Sequence, residues 1–334
     1  MTPARSSQSV VVQTGARLHL GFLDLQGGLG REYGSIGVAL RKPRVVLEAR
    51  RSSQGILVDG EPMARARSLA ETFAAHFGYH GGLRLILRES IPEHVGLGAG
   101  TQISLAVGAA IATVLDHRVN VRELAGLSER GSVSGIGTAA FEHGGLVIDG
   151  GVVSSARAPV GSSTPRSIPP MIVHHSVPKD WAFVVALPNQ PQGLSGTEER
   201  EAFGKLPPVR PEHAGTISRL VLMRLLPALV EDDITRFGQA LTEIQRLVGD
   251  AFAPAQGGRF ATKVVSNCIE AMLEAGAYGA GQSSWGPACY GLTRGPDGIA
   301  SLKKAVKRVL DAASGGVVFA SPASNRGAII RRQG

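Results

Sequence analysis

Cysteine is close to absent. The 334 residues include two, Cys268 and Cys289, and neither belongs to a CxxC pair or a Cys/His cluster. That excludes a disulfide framework and a structural zinc site, and leaves two partly buried free thiols as the expectation. Aromatic residues make up only 5% of the chain. With arginines scattered rather than blocked, few platforms exist for stacking bases, so nucleic acid is not expected as a partner. The net charge of +8 fits an anionic small-molecule substrate instead. No apolar run reaches the ~18–20 residues of a membrane span, and the opening MTPARSSQSV has no apolar signal-peptide region. A cytoplasmic protein away from membranes is therefore expected. Two nucleotide signatures are also missing: there is no GxxxxGK[ST], and no GxGxxG follows a strand, which argues against a Walker A loop and a Rossmann site.

What is present predicts two domains at ~150 residues each. Residues 1–8 read as a flexible tail. SVVVQTGARLHLGFLDL reads as a strand, a glycine turn and a second strand, and PRVVLEA continues the β pattern. RARSLAETFAAHFGYH has helical spacing and ends near Gly78; GLRLILRES alternates as a strand; VNVRELAGLSERG is a short helix. GGLVIDGGVV predicts a hairpin centred on Asp149–Gly150. The Ser- and Pro-rich residues 154–171 mark a surface loop or domain junction. Beyond them, WAFVVALP is a buried strand, two amphipathic helices break near Pro227, and ATKVVSNCIEAMLEAG is a helix ending at Gly276. A last helix (SLKKAVKRVLDAA), a strand (GGVVFAS) and a basic tail close the chain. No internal repeat occurs. The second half reads as helices on one side of a small sheet, an α+β layer.

Four stretches carry chemistry. IPEHVGLGAGTQ places Gly96, Gly98 and Gly100 between a strand and a run of small apolar residues. Glycines admit close approach of the backbone to an anion, and the first N–H groups of the following helix lie at its positive end, which together make a phosphate site. Thr101 and Gln102 add side-chain donors, and Thr101 is a candidate magnesium contact. AYGAGQSSWGPACYG, with Ser283 and Ser284, reads as a second wall of that site. GARLHLGFLDLQGGLGREYGSIGVAL carries Arg17 and His19 on one strand face, followed by Asp24, Arg31 and Tyr33. RGSVSGIGTAAFEHGG supplies Ser134, Gly135 and Thr138, with Glu142 and His143 as acid–base or orienting groups.

The order of these stretches resembles the GHMP kinase superfamily: PEHVGLGAGTQ is similar to its central phosphate loop, AYGAGQSSWGPACYG to its C-terminal glycine motif. Three long motifs (residues 15–40, 91–102 and 130–151) resemble, more narrowly, the β-ribofuranosylaminobenzene 5′-phosphate synthase family. The resemblance implies a two-domain α+β fold. A ribosomal-protein-S5-like N-terminal domain would span 9–160, with its phosphate loop at 92–102. A ferredoxin-like C-terminal domain would span 170–330, with its glycine motif at 277–291. It also implies a decarboxylating phosphoribosyl transfer from phosphoribosyl pyrophosphate, with Mg2+, to 4-aminobenzoate or 4-hydroxybenzoate in tetrahydromethanopterin biosynthesis. Arg17, His19 and Glu142 are the catalytic candidates. Gly96, Gly98, Gly100, Thr101, Gln102, Arg31, Ser134, Gly135, Thr138, Ser283 and Ser284 are the binding candidates, and a homodimer is the expected assembly. The SGIG stretch departs from the kinases, with Gly137 where they carry an aspartate. Ala99 and Val133 depart from residues common at those positions. Two other readings stand beside this one. One is an ATP-dependent kinase with its base elsewhere, at Asp24 or Glu142. The other is an RNA-binding protein, given the basic charge and the ribosomal-protein likeness of part of the fold.

Overall fold

The computed structural model describes residues 8–128, 133–153, 168–190, 206 and 211–334. The tail at 1–7 and most of the Ser/Pro-rich stretch lie outside the described residues. Two sheets organise the chain. The larger has eight strands, in the order β12-β1-β2-β4-β3, with β5 and β6 on β2 and β7 on β5. These are β1 (Ser9–Asp24), β2 (Arg31–Ser52), β3 (Ile56–Asp59), β4 (Gly82–Glu89), β5 (Leu146–Asp149), β6 (Val152–Val153), β7 (Met171–His175) and β12 (Ile329–Gln333). The smaller has the order β11-β8-β10-β9, formed by β8 (Trp181–Pro188), β9 (Gly279–Gln282), β10 (Cys289–Arg294) and β11 (Gly316–Pro322).

Alternation dictates the inner face of the first sheet: Val10, Val12, Ala16, Leu18, Leu20 and Phe22 of β1 are all buried. Helices α1 (Met63–His76), α2 (Ala99–Val114), α3 (Val121–Leu127) and α4 (Ile136–Glu142) cover that face. The enclosed α2 is built from Ala, Gly, Ile, Val and Leu and is buried almost all round. In the second half, α8 (Lys263–Glu274) and α9 (Gly295–Asp311) cover one face of the small sheet through Cys268, Met272, Leu302 and Val306. The opposite face, with Trp181, Phe183 and Tyr290, shares the large core with α7 (Ile234–Gln256), so helices lie on both sides rather than one. There the Trp181 and Phe237 rings meet at 5.0 Å.

Four local expectations are corrected. Sixteen of the first seventeen strand-like residues, Ser9–Asp24, form one long strand, because irregularities at Gly15/Arg17 and His19/Gly21 bend β1 without ending it. Asp149–Gly150 does not close a hairpin; β5 and β6 each pair with β2. Pro227 breaks no helix. α5 (Pro211–Leu220) runs through a π turn (Val221–Leu225) into α6 (Leu226–Val230), and Pro227 follows directly on that local change of hydrogen-bond register. The break falls at Asp232, whose φ is 56°, and the Asp233 carboxylate then caps α7 at Arg236 N, 2.9 Å away. Finally, the basic tail includes a strand, β12, which pairs antiparallel with β1 from Ser9↔Gln333 to Gln13↔Ile329.

By length and mean hydropathy the 20 residues Pro211–Val230 could cross a membrane, although Glu212, Arg219 and Arg224 interrupt the apolar run. In this structure Ile217, Val221, Leu225 and Leu229 face the core, while Leu222, Met223 and Val230 are exposed.

Candidate active site

The two glycine stretches meet backbone to backbone. Gly96, at φ 90°, lies so near Ser283 that a Cβ would sit 2.3 Å from the Ser283 carbonyl oxygen. The Ala288 N–H donates to the Val95 carbonyl at 3.1 Å, and the Ser283 hydroxyl donates to the Gly96 carbonyl at 2.7 Å. β1 completes the junction. Arg17 donates from Nη1 to the Gly96 carbonyl (2.6 Å) and from its backbone N–H to the Leu97 carbonyl (3.0 Å). The His19 N–H donates to Ser283 Oγ (3.0 Å). α2 starts at Gly98, in the left-handed region, and no side chain caps it. Its first N–H groups therefore keep the capacity to bind an anion.

Several candidates hold this junction together rather than face a ligand. Gln102 is fully buried; its amide nitrogen donates to the Gly137 carbonyl (2.8 Å), and its amide oxygen accepts from the Thr14 hydroxyl. Ser283 is also fully buried, with its hydroxyl used in both directions. Arg17 and His19 do share the junction, as their common strand face predicted, but through different groups. Burial, with the Arg17 charge second, pushes the His19 pKa down to about 3, so its ring is neutral. An acid–base role for that ring at neutral pH does not fit so low a value. Glu142 lies at the far end of α4, exposed, 3.5 Å from His143 and beside the Gly327 backbone, and joins neither the loop nor the junction.

The segment before α4 is organised by a residue that the sequence reading used only as a turn marker. The Asp149 carboxylate is buried and accepts from Gly135 N (2.8 Å), Gly151 N (2.9 Å) and Ser35 N (3.1 Å). Burial raises its pKa, and the three N–H donors oppose the rise. The only signal for it in the sequence was an acidic residue inside an apolar strand. Gly135 thus spends its N–H on Asp149, Ser134 Oγ accepts from Ile136 N (3.3 Å), and Thr138 is buried in α4. Gly137 packs against Thr101: a Cβ there would lie 2.9 Å from Thr101 Cγ2. A side chain at Gly137 would therefore press on Thr101.

A cavity of about 650 Å³ opens at the end of the β1–β2 hairpin. One wall is Phe22, Asp24, Arg31, Tyr33 and Gly150; the other is α5 and α7, through His213, Ile217 and Val248. Arg31 is braced on the Asp149 turn, donating from Nε to the Gly150 carbonyl (2.6 Å) and from Nη2 to the Gly151 carbonyl (2.7 Å). Asp149 and Arg31 thus hold one turn from two sides and link the cavity to the segment beside the phosphate loop. Ser284, at φ 58°, follows Ser283 in the glycine motif and borders a narrow cleft with His19. Among the described residues no group of three His, Cys, Asp or Glu side chains could hold a metal ion.

The glycine loop that opens α2 is thus locked to the second glycine stretch, across two sheets joined in one core. The description "GHMP kinases N terminal domain" matches residues 64–145, and "GHMP kinases C terminal" matches 225–312. Homoserine kinase from Cytophaga hutchinsonii superposes with a TM-score of 0.71 at 19% identity, covering 99% of this chain and 100% of that one. Mevalonate kinase from L. major gives 0.68 at 15% identity, with 96% and 97% covered. At these identities the likeness concerns the fold. Sequence relatives are more specific. The chain is 32% identical to the β-ribofuranosylphenol 5′-phosphate synthase of Methanothermobacter thermautotrophicus over 96% of its own length and 98% of the relative's. It is 37% identical to the enzyme of that name from Archaeoglobus fulgidus, covering 84% and 87%. The chain belongs to the β-ribofuranosylphenol 5′-phosphate synthase family: it is a transferase built on a kinase fold.

Proposed function

We propose that the enzyme transfers the phosphoribosyl group of phosphoribosyl pyrophosphate to 4-hydroxybenzoate or 4-aminobenzoate. The products are a β-ribofuranosyl arene 5′-phosphate, CO2 and pyrophosphate, and the step belongs to tetrahydromethanopterin biosynthesis. The relatives' name speaks of a phenol product, which favours the hydroxy acid. In the reaction the C1–O bond breaks and pyrophosphate leaves with the electron pair. The para donor enriches the ring carbon that bears the carboxylate; that carbon bonds to C1, and the electrons of the ring–carboxyl bond restore aromaticity as CO2 departs. No proton has to be removed, so no strong general base is needed.

The observation that carries this reading is Gly137 packed on Thr101: the glycine loop is kept, while the position resembling that of the kinase base has no carboxylate and a Cβ there would press on the Thr101 methyl. Under this reading the uncapped start of α2 and the backbone at Gly96–Gly100 bind the pyrophosphate. Magnesium arrives bound to the pyrophosphate as part of the substrate, and Thr101 is the hydroxyl we assign to touch it. Ser284 is the glycine-motif side chain we assign to the 5′-phosphate. The arene occupies the 650 Å³ cavity between Phe22 and Val248. Arg31 spends two of its five N–H donors on backbone carbonyls and keeps the others for the benzoate carboxylate.

The test is release of CO2 from carboxyl-labelled 4-hydroxybenzoate or 4-aminobenzoate, with Mg2+ and phosphoribosyl pyrophosphate in one tube and ATP in another. Release with the phosphoribosyl donor alone is the expected result. No release with either acid from folded protein would remove the proposal.

A further inference from the structure

His213 belongs to no motif in the sequence, yet it stands on the α5 wall of the cavity, across from the hairpin wall that carries Arg31 and Tyr33. Its Nε2 lies 2.8 Å from the Leu247 carbonyl oxygen of α7. A carbonyl can only accept, so Nε2 carries the hydrogen, and Nδ1 of the neutral ring is a hydrogen-bond acceptor. Among the described residues no group donates to Nδ1. The ring is half-buried and its orientation is fixed by α7, so the acceptor is held in place before any ligand arrives.

The two walls give the cavity a direction. Arg31 is braced on the 149–151 turn, which Asp149 ties to Gly135, two residues before the Gly137 that packs on Thr101 of the glycine loop. A benzoate with its carboxylate at Arg31 presents its reacting ring carbon towards that loop and its para substituent towards α5. We infer that His213 Nδ1 accepts a hydrogen bond from the para hydroxyl or amino group of the arene, and so selects arenes whose para group donates. This rests on the arene reading above. It assigns a specificity-determining residue that also positions the ring for attack. A para substituent that cannot donate would leave the acceptor unpaired on binding, the situation in which hydrogen-bonding sites discriminate most strongly.

The experiment measures binding of 4-hydroxybenzoate, 4-aminobenzoate, 4-methoxybenzoate and benzoate to the full chain by calorimetry, alongside melting temperature and the CO2 assay. The wild type should bind the two donors about tenfold more tightly than the other two, the scale of one buried hydrogen bond. His213→Gln keeps a donor in reach of the Leu247 carbonyl, while its amide oxygen, tied to the same carbon as that donor, no longer sits at the Nδ1 position; its ratio should fall to about one without a change in melting temperature. His213→Asn places its amide oxygen near the Nδ1 position and should retain much of the ratio. A merely structural role predicts that both variants keep the wild-type ratio and that the melting temperature falls most in His213→Asn, which loses the Leu247 contact. A wild-type ratio of one overturns the assignment, as does a full ratio in His213→Gln. So does a ratio abolished by Asp24→Asn but kept by His213→Gln. If the wild type binds none of the four and releases no CO2, the arene reading itself fails. If it binds and turns over but His213→Gln keeps its ratio, only the role of His213 fails.

Discussion

The phosphate-loop junction and the hairpin cavity solve opposite problems with different materials. At the junction, the backbones of residues 95–98 and 283–288 touch, and the side chains that take part, Arg17 and Ser283, bond to backbone carbonyls. In the cavity, side chains from β1, β2, α5 and α7 form the walls around open space. A main-chain cradle binds a group that every member of a fold shares, such as a phosphate. A side-chain cavity can change its occupant by substitution while the fold stays the same. A kinase fold can thereby host a glycosyl transfer.

Substitutions should separate the two regions sharply. The largest effect is expected at the junction, for Gly96→Ala. The new Cβ would lie 2.3 Å from a backbone oxygen at a residue with φ 90°. Turnover should vanish and stability should fall by roughly 3 kcal/mol or more, read as a large drop in melting temperature. Near-wild-type stability would mean that the two backbones are not locked together. Arg17→Gln removes the anchor on the Gly96 carbonyl; kcat/KM should fall by about a hundredfold with the cavity's arene affinity little changed. Equal loss of arene binding would erase the distinction between the regions.

Next is Gly137→Asp, which reinstates the kinase residue. It should cost roughly 1–3 kcal/mol from contact with Thr101 and confer no ATP-dependent phosphoryl transfer. Adding Thr101→Ala should recover part of the stability. Below that comes a pH effect. With His19 at about 3 in the fold and 6.5 as its ordinary value, the unfolded chain binds the extra proton between those limits. Stability therefore falls as pH drops through that window, by up to about 1.4 kcal/mol per unit. Asp149, with its raised pKa, acts with the opposite sign, its contribution being lost as pH rises through the folded value. Urea midpoints at several pH values should show a shallower acid-side slope in His19→Gln; an unchanged slope would mean that His19 is not held neutral. The smallest effect is expected for Glu142→Gln, outside both regions: turnover within about twofold of wild type.

The junction was legible from the sequence because glycine at alternate positions before a run of small residues has few other uses, and because a second glycine cluster matched it. The pairing of Arg17 with His19 followed from strand alternation. What could not be read was which polar groups are consumed in making the site. Gln102 and Ser283 look like ligand contacts in one dimension and turn out to bond the protein to itself. Asp149 looks like a turn residue and ties three segments together. The cavity was invisible for a related reason: Asp24, Arg31 and Tyr33 were noted, but His213 and Val248 lie about 180 or more residues away and carry no local pattern.

β12 has a practical consequence. Because it pairs residues 329–333 with residues 9–13, the polypeptide is topologically a ring closed by five residue pairs. Expressing the two halves separately would strip the Val10–Val12 edge of its neighbour and leave an apolar strand open to self-association. The same closure brings the two ends of the described chain side by side, so a short linker could join them and new termini could be opened in a surface loop. A donor and an acceptor dye at positions 8 and 334 would then report, in a single distance, whether the two halves are assembled.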